Sequence, residues 1–201
     1  GCYVLDNIVL PSQVKTIGST AFKNCRVLRE ITIPNKITTI SPYLFEGCTS
    51  LTIVNLPNYL TGIGYHAFQD CNSLKEIFLP EGITKIGYRA FTNCFALRSL
   101  TIPSTVVTLE HYMFSGCKGL STLNMLPLAP PSLDRTFSEA PSNLKINLLC
   151  GSKEAYMAAA NWAKLSYPIN EISSNILTIK SNDNRMGEAY IPTPNTCDND
   201  T

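Results

Sequence analysis

Hydrophobic and polar positions along this chain follow a pattern that repeats every 23 residues. Leucine, proline, phenylalanine and cysteine each keep that step in a column of their own. The leucine and proline columns are Leu5, Leu28, Leu51, Leu74, Leu97 and Leu120, and Pro11, Pro34, Pro57, Pro80 and Pro103. The phenylalanine and cysteine columns are Phe22, Phe45, Phe68, Phe91, Phe114 and Phe137, and Cys2, Cys25, Cys48, Cys71, Cys94 and Cys117. A fixed period of this length is the signature of stacked repeats, so the pattern predicts a solenoid.

Residues 28–50 illustrate the elements of one unit. Ile31 and Ile33 alternate with polar residues, which predicts a short strand, and Pro34 ends it because proline has no backbone donor. A second apolar pair predicts another short extended stretch. The phenylalanine, the cysteine and the next leucine then follow at spacings of three, which is typical of a helical or 3₁₀ turn with one buried face.

A glycine precedes this last turn in three units, at Gly18, Gly64 and Gly87. Because glycine adopts left-handed backbone conformations without steric cost, we expect a positive φ at these positions. Ser41 and Glu110 take the place of glycine in two other units, so the turn does not strictly require it.

A single unit is too short to enclose a core, but stacked units place each inward side chain about 4.8 Å from its counterpart. We therefore expect columns of Leu, Ile, Phe and Cys as the core. One strand from each unit should build a continuous parallel sheet. The predicted fold class is α/β, a strand-rich, right-handed β/α superhelix.

The solenoid is predicted to occupy residues 1–150. Cys2 and Leu5 already fit their columns, so the chain begins in the middle of a repeat and we expect further units or a cap upstream. Toward the other end the pattern loosens, since Phe137 keeps its column but Ala140 replaces the cysteine.

Residues 151–168 are predicted to form a helix that caps the last unit. Residues 152–165 are rich in helix-forming residues, and Ser152 is suited to the N-cap position. The predicted apolar face consists of Tyr156, Ala159 and Ala163, with Trp162 beside it.

Residues 169–201 form the predicted tail. The segments NILTIK and GEAYI flank a polar turn and predict a β-hairpin outside the solenoid, with strands near 175–180 and 186–191. The acidic, proline-containing end is typical of disorder.

Composition narrows the possible partners. The net charge is +1 and 15% of the residues are charged, which leaves no basic stripe for nucleic acid. No apolar run reaches the 18 residues of a membrane span. No signal peptide is visible, but a chain that begins inside a repeat could not show one.

Eight cysteines would suit a disulfide scaffold, but six of them share one inward-facing column. Neighbouring units bring these residues within bridging distance, yet in-register side chains point the same way and not at each other. We therefore expect the column to be reduced and buried. Cys150 and Cys197 lie outside it, and their role stays open.

The sequence predicts no catalytic, metal or cofactor site. His66 and His111 have no cysteine or carboxylate partner at a metal-ligand spacing, and no hydrolase, zinc-protease or phosphate-loop motif occurs. Cys71 lies five residues from His66, but its column is buried. A nucleophilic pair is therefore a weaker interpretation than a polar surface histidine.

The unit LxxIxIPxxVxxIGxxAFxxCxxL resembles the BspA-like leucine-rich repeat, also called the treponemal type. The segments IPNKITTI, LPSQVKTIGSTAFKNC and LPEGITKIGYRAFTNC show it best, and the resemblance covers residues 2–125. It implies a leucine-rich-repeat solenoid with a parallel sheet and a C-terminal cap. Proteins of this family are largely exported surface proteins of anaerobic bacteria and some mucosal protists, which implies an extracellular or bacterial cell-surface location and a role in adhesion. The family has no shared catalytic residues.

The tail segment ILTIKSNDNRMGEAYI resembles the opening of small β modules that often follow such arrays and are related to listerial internalin B-repeats. It is interpreted as the start of a truncated extra module.

Two faces of the solenoid are candidates for ligand binding. On the exposed side of the strand ladder, Ile53 and Phe78 are apolar residues among polar ones, as in interfaces with an apolar centre and a polar rim. The candidate residues are Glu30, Ile53, Asn55, Glu76, Phe78 and Thr101. The alternative is that scattered exposed apolar residues are ordinary.

The second candidate face lies just before the phenylalanine turns. Its residues are Tyr43, Tyr65, His66, Tyr88, His111 and Tyr112. Stacked aromatic side chains suit sugars and proteins equally, and the alternative is that they serve only to pack one unit on the next.

The leading functional hypothesis is an exported, adhesin-like binding module that recognises a host or bacterial protein or glycan. The alternative is a structural spacer that holds another domain away from the cell. An enzyme is the third hypothesis, since it would require a deep pocket with perturbed ionisable groups.

Overall fold

Residues 2–172 are described by this computed structural model, and they form a stack of repeat units, each of which makes one rung of a solenoid. The elements in chain order are β1 Glu30–Thr32, β2 Thr39–Ile40, β3 Ile53–Asn55, β4 Gly62–Ile63, β5 Lys85–Ile86, β6 Ser99–Ile102, β7 Thr108–Leu109, β8 Thr122–Met125, β9 Ser132–Leu133, β10 Lys145–Leu149, α1 Lys153–Ala158, α2 Ala160–Ala163 and β11 Ile169–Ile172. The strand-rich solenoid predicted from the repeat is therefore confirmed.

The two short extended stretches of each unit form two parallel ladders. In the ladder built from the second stretch, β2, β4, β5, β7 and β9 make one five-stranded sheet. In the other ladder, Glu30 pairs with Ile53 and Ser99 with Thr122, each one repeat apart. The 23-residue period is thus the register of the sheets, because one full unit separates paired residues.

The first ladder is not the single continuous sheet that the sequence predicts. It is divided into β1–β3 and a four-stranded sheet of β6, β8, β10 and β11. Residues 75–79 lie between them without strand structure, although Ile77 is buried as expected. Phe78 occupies this gap in a column that elsewhere holds Thr and Asn, and nothing else in the structure explains the break.

The core consists of the predicted columns. Phe45, Phe68 and Phe91 are fully buried and stacked, with neighbouring ring centroids 5.4 and 5.5 Å apart. Five cysteines are buried free thiols, Cys25, Cys48, Cys71, Cys94 and Cys117, whereas Cys2 is free and exposed. Burial raises the pKa of these five thiols.

The phenylalanine turn is a series of turns and not a helix, and its left-handed residues are not the predicted glycines. Gly64 and Gly87 have ordinary φ; a Cβ at these positions would lie 2.6 Å from the nitrogen of Pro42 and 2.7 Å from that of Tyr65. These glycines are therefore required by the close approach of the previous rung. Positive φ angles occur instead in two other columns, Thr20, Tyr43, His66, Arg89, Tyr112 and Arg135, and Asn24, Gly47, Asp70, Asn93, Gly116 and Glu139.

The cap consists of two short helices and not one. The backbone is extended at Ala159, between α1 and α2. The Ser152 side chain does not cap α1, because its hydroxyl donates to the carbonyl of Leu149 at 2.6 Å. Tyr156 and Trp162 are buried as the cap predicts, whereas Ala163 is exposed.

Both ends of the solenoid differ from the predicted boundaries. Residues 5–10 form no strand, and Ile8 is only half-buried, because the described chain has no rung beyond it to pair with. At the other end β11 pairs with β10 in the 23-residue register, Ile146 opposite Ile169. The predicted tail boundary at residue 169 therefore falls inside the ladder. The hairpin predicted at 175–180 and 186–191 lies outside the described residues.

Candidate binding surfaces

The strand face places its predicted residues side by side but uses most of them internally. The Asn55 amide donates to the Thr32 hydroxyl at 3.0 Å, and that of Asn124 donates to Thr101 at 3.3 Å. Such side-chain bonds between rungs satisfy the polar column of the sheet. Asn55 and Thr101 are therefore parts of a structural ladder.

The apolar centre predicted on this face is small. Ile53 is 45% exposed, whereas Phe78 is only half-buried against the break in the ladder. Glu30 lies directly opposite Ile53 in the register, and Glu76 is exposed. The face offers one exposed aliphatic side chain among charged neighbours, as expected for an ordinary surface.

The second face brings its six residues into one connected group, called the aromatic face below. Its members, Tyr43, Tyr65, His66, Tyr88, His111 and Tyr112, lie in two adjacent columns and come from four consecutive rungs. Backbone bonds hold the columns in step: Tyr43 donates to the Tyr65 carbonyl at 3.0 Å and His66 to that of Tyr88 at 2.8 Å.

The rings of the aromatic face touch from rung to rung. Tyr43 stacks on His66 with centroids 4.7 Å apart, and it meets the ring of Tyr65 edge-on at 5.0 Å. His66 in turn meets Tyr88 edge-on at 5.0 Å, and Tyr88 contacts His111 and Tyr112 at 6.2 Å. Edge-to-face and offset pairs are favourable geometries for aromatic rings. Tyr65 nevertheless remains 45% exposed, so packing does not use up this surface.

The sequence reasoning missed Arg89, which lies inside the aromatic face. Arg89 occupies the same column as Tyr43, His66 and Tyr112, so its position was available from the 23-residue step. Its guanidinium carbon lies 5.1 Å from the centre of the Tyr88 ring and 5.4 Å from that of Tyr112. These are cation–π contacts on two rings.

Ion pairs border the aromatic face. Lys23 pairs with Glu46 at 2.7 Å and lies over the Tyr43 ring. The hydrogen bond with Glu46 raises the pKa of Lys23. At the other end the His111 imidazole lies 2.6 Å from the carboxylate of Asp134.

Glu110 also belongs to this border, because it replaces the glycine of its column. Its carboxylate lies 2.5 Å from the Lys85 ammonium and accepts the backbone N–H of Tyr88 at 2.6 Å. Desolvation by burial would raise the pKa of Glu110, but the hydrogen bonds from Lys85 and Tyr88 outweigh it and lower the pKa. The carboxylate therefore holds the turn that presents Tyr88.

A cleft of about 520 Å³ lies where the last rung meets the cap. Phe137 and Leu165 contribute apolar surface, and Arg135 and Lys164 contribute charge. Arg135 is the next residue in the column of Tyr112, and the Tyr112 N–H donates to its carbonyl at 3.1 Å. The aromatic face thus leads directly to the cleft, which the sequence did not predict.

Two further searches cover the described part of the chain. Between residues 2 and 172, no three His, Cys, Asp or Glu side chains come together in a way that could hold a metal ion. None of the helices described is long and apolar enough to cross a membrane.

The repeat geometry agrees with a comparison against known families. The family model for the BspA type leucine rich repeat region matches residues 1–121 with six copies. This chain belongs to that family. No curated protein matches the chain over its sequence.

Solved structures of BspA-type and other bacterial leucine-rich repeats resemble this solenoid. The leucine rich repeat protein of T. pallidum is 31% identical with a TM-score of 0.64, over 70% of this chain and 67% of that one. The pneumococcal vaccine antigen PcpA is 21% identical with a TM-score of 0.65, over 81% of this chain and 40% of that one. A leucine-rich repeat protein from Eubacterium ventriosum is 23% identical with a TM-score of 0.53, over 72% and 42%. The chain thus spans less than half the length of the last two proteins.

Proposed function

We propose that this chain is a cell-surface binding module of a bacterium, which recognises an extracellular protein or glycan through the aromatic face of its solenoid. One observation supports this most: aromatic side chains from four consecutive rungs form a connected surface on which Tyr65 remains 45% exposed. Tyrosine provides large, rigid contact area with a polar end, which is why it is enriched at binding surfaces.

The location at the cell surface follows from the family. BspA-type repeats resemble exported surface proteins, and one structural neighbour is a pneumococcal vaccine antigen. A module displayed in many copies on one cell would gain avidity, so that a weak single contact suffices for attachment.

The aromatic face is a better binding candidate than the strand face for a structural reason. The amide of Asn55 and the hydroxyl of Thr101 already bond to neighbouring rungs, and Phe78 is half-buried. A ligand on that face would find Ile53 as its main apolar contact. On the aromatic face, by contrast, rings are presented rung after rung along one line.

The test measures attachment of the purified chain to mucosal cells, extracellular-matrix proteins and polysaccharides. Tyr65→Ser combined with Tyr88→Ser should reduce binding at least tenfold, because it removes the centre of the aromatic face. Tyr59→Ser is the matched control, since Tyr59 is 70% exposed outside this face. Ile53→Ser tests the strand face in the same assay.

The outcomes separate the hypotheses. Loss of binding in Ile53→Ser alone would move the site to the strand face. Absence of binding by the wild type across the whole panel would favour a structural spacer.

A further inference from the structure

Arg89 is a cation without an anionic partner in the middle of the aromatic face. Its Nε is buried and has no hydrogen-bond acceptor, and no carboxylate of the described residues lies within ion-pair distance of it. A buried donor that is left unpaired is costly, which calls for an explanation at this position.

The neighbouring carboxylates are already engaged. Glu46 pairs with Lys23, Glu110 with Lys85, and Asp134 with His111. The two tyrosine rings on Arg89 fix the plane of its guanidinium but accept no strong hydrogen bond from its edge. A guanidinium held in this way is preorganised for bidentate contact with a carboxylate or sulfate.

A second unpaired guanidinium lies in the same column. Arg135 is exposed, has no ion pair among residues 2–172, and follows Tyr112 by one rung. Arg89 and Arg135 are therefore two rungs apart, which corresponds to roughly 10 Å at the spacing of adjacent strands. Tyr112 lies on the rung between them, so cation, aromatic ring and cation alternate along one line.

We infer that the aromatic face binds a linear acidic polysaccharide in which charged sugars alternate with neutral ones. This inference rests on the proposed function and specifies the ligand of the same site. A pyranose unit is comparable in length to one rung, so charged groups on every second sugar would meet Arg89 and Arg135. The neutral sugar between them would stack on Tyr112, and the chain would run along the rings toward the cleft at the cap.

The test measures binding of the purified chain to four polymers. Hyaluronan has a carboxylate on alternate sugars, and keratan sulfate has sulfate in place of carboxylate. Carboxyl-reduced hyaluronan is the neutral counterpart, and polyglutamate represents an acidic protein. We expect measurable binding to hyaluronan, keratan sulfate or both, and at least tenfold weaker binding to the other two.

Three substitutions locate the contact. Arg89→Gln and Arg135→Gln should each weaken binding to the anionic polysaccharide about tenfold. Arg98→Gln is the matched control, because it removes the same charge from an exposed arginine of the strand ladder, and it should change binding less than twofold. Circular dichroism checks the fold of each variant, and Arg135→Gln keeps the test valid if Arg89→Gln unfolds, since Arg135 is exposed.

The inference is overturned if neither anionic polysaccharide binds, if the neutral polymer binds as well, or if both arginine variants bind like the wild type. Equal, Arg89-dependent binding of polyglutamate would overturn it in favour of an acidic protein ligand. If the arginine variants retain binding that Tyr65→Ser with Tyr88→Ser abolishes, only this inference fails. If no ligand depends on the aromatic face, the proposed function fails with it.

Discussion

Each cysteine from Cys48 to Cys117 donates its thiol hydrogen to the carbonyl of a phenylalanine one rung back. The Cys71 sulfur lies 3.2 Å from the Phe45 oxygen, which also accepts the N–H of Cys48 at 3.1 Å. That carbonyl thus has two donors. The cysteine column therefore satisfies backbone groups between rungs, in addition to filling the core as a small apolar residue.

Phe68 has the largest predicted effect on stability among single core residues of the middle rungs. Its ring is fully buried between those of Phe45 and Phe91, so Phe68→Ala leaves a cavity that the stacked neighbours cannot fill. We expect a loss of about 3–5 kcal/mol in the free energy of unfolding, measured by urea denaturation. Phe95→Ala is the control, because Phe95 is 42% exposed, and it should cost less than about 1 kcal/mol. Equal effects of the two substitutions would contradict the assignment of the core column.

At the scale of elements, the strands are too short to be stable alone. Strand β2 has two residues and β1 has three, and each is held by its counterparts in neighbouring rungs. Where side chains bond along a column, as Asn147 does to Asn124 at 2.9 Å, the ladder continues through β10. Where Phe78 takes that place, strand pairing stops.

The cap closes the apolar end of the ladder through two hydrogen bonds to proline carbonyls. The Tyr156 hydroxyl donates to Pro127 at 2.8 Å, and the Trp162 indole donates to Pro131 at 2.7 Å. Both side chains are buried, and their rings contact each other at 4.7 Å. The cap is thus attached by large aromatic side chains whose polar atoms are satisfied.

Tyr156→Phe should lower the free energy of unfolding by about 1–2 kcal/mol, because it leaves the buried Pro127 carbonyl without this donor. Tyr59→Phe removes the same hydroxyl from a tyrosine that is 70% exposed, and it should stay within about 0.5 kcal/mol of the wild type. Thermal and urea unfolding of both variants measure the difference. A Tyr156→Phe variant as stable as the control would show that the bond does not hold the cap.

At the scale of the whole molecule, the buried thiols make the solenoid sensitive to alkali. Burial raises the pKa of Cys48 and of Cys117 from 9.0 to about 12, and it raises those of Cys71 and Cys94 well above 9.0. In the unfolded chain these thiols ionise near pH 9, whereas in the folded chain they stay protonated. Their contribution to stability is therefore complete below pH 9 and is lost as the pH rises toward 12.

We expect the free energy of unfolding to fall between pH 7 and pH 10, by about 1.4 kcal/mol for each such thiol at pH 10. Urea denaturation at the two pH values measures the fall. Because tyrosines and lysines also titrate in this range, Cys48→Ala is compared with the wild type, and its fall should be smaller by about 1.4 kcal/mol. An identical pH dependence in both proteins would contradict a protonated Cys48 in the folded state.

The sequence alone determined the repeat, the register and the core. Leu, Ile, Phe and Cys recur every 23 residues, and because a rung can bury them only against its neighbours, the period dictates stacking. The strand at β1 and the burial of Phe68 follow from that pattern. Each of the six residues of the aromatic face was also identifiable by its column.

Only the tertiary structure decided the features that depend on contacts between rungs or at the cap. Gly64 is required by the backbone of the previous rung and not by its own φ, and the turn of Ala159 divides the cap because two aromatic side chains must both reach proline carbonyls. The position of Arg89 between two tyrosine rings is likewise a distance between units. A one-dimensional pattern specifies which residues share a column, whereas the partner that each side chain finds depends on how neighbouring columns pack.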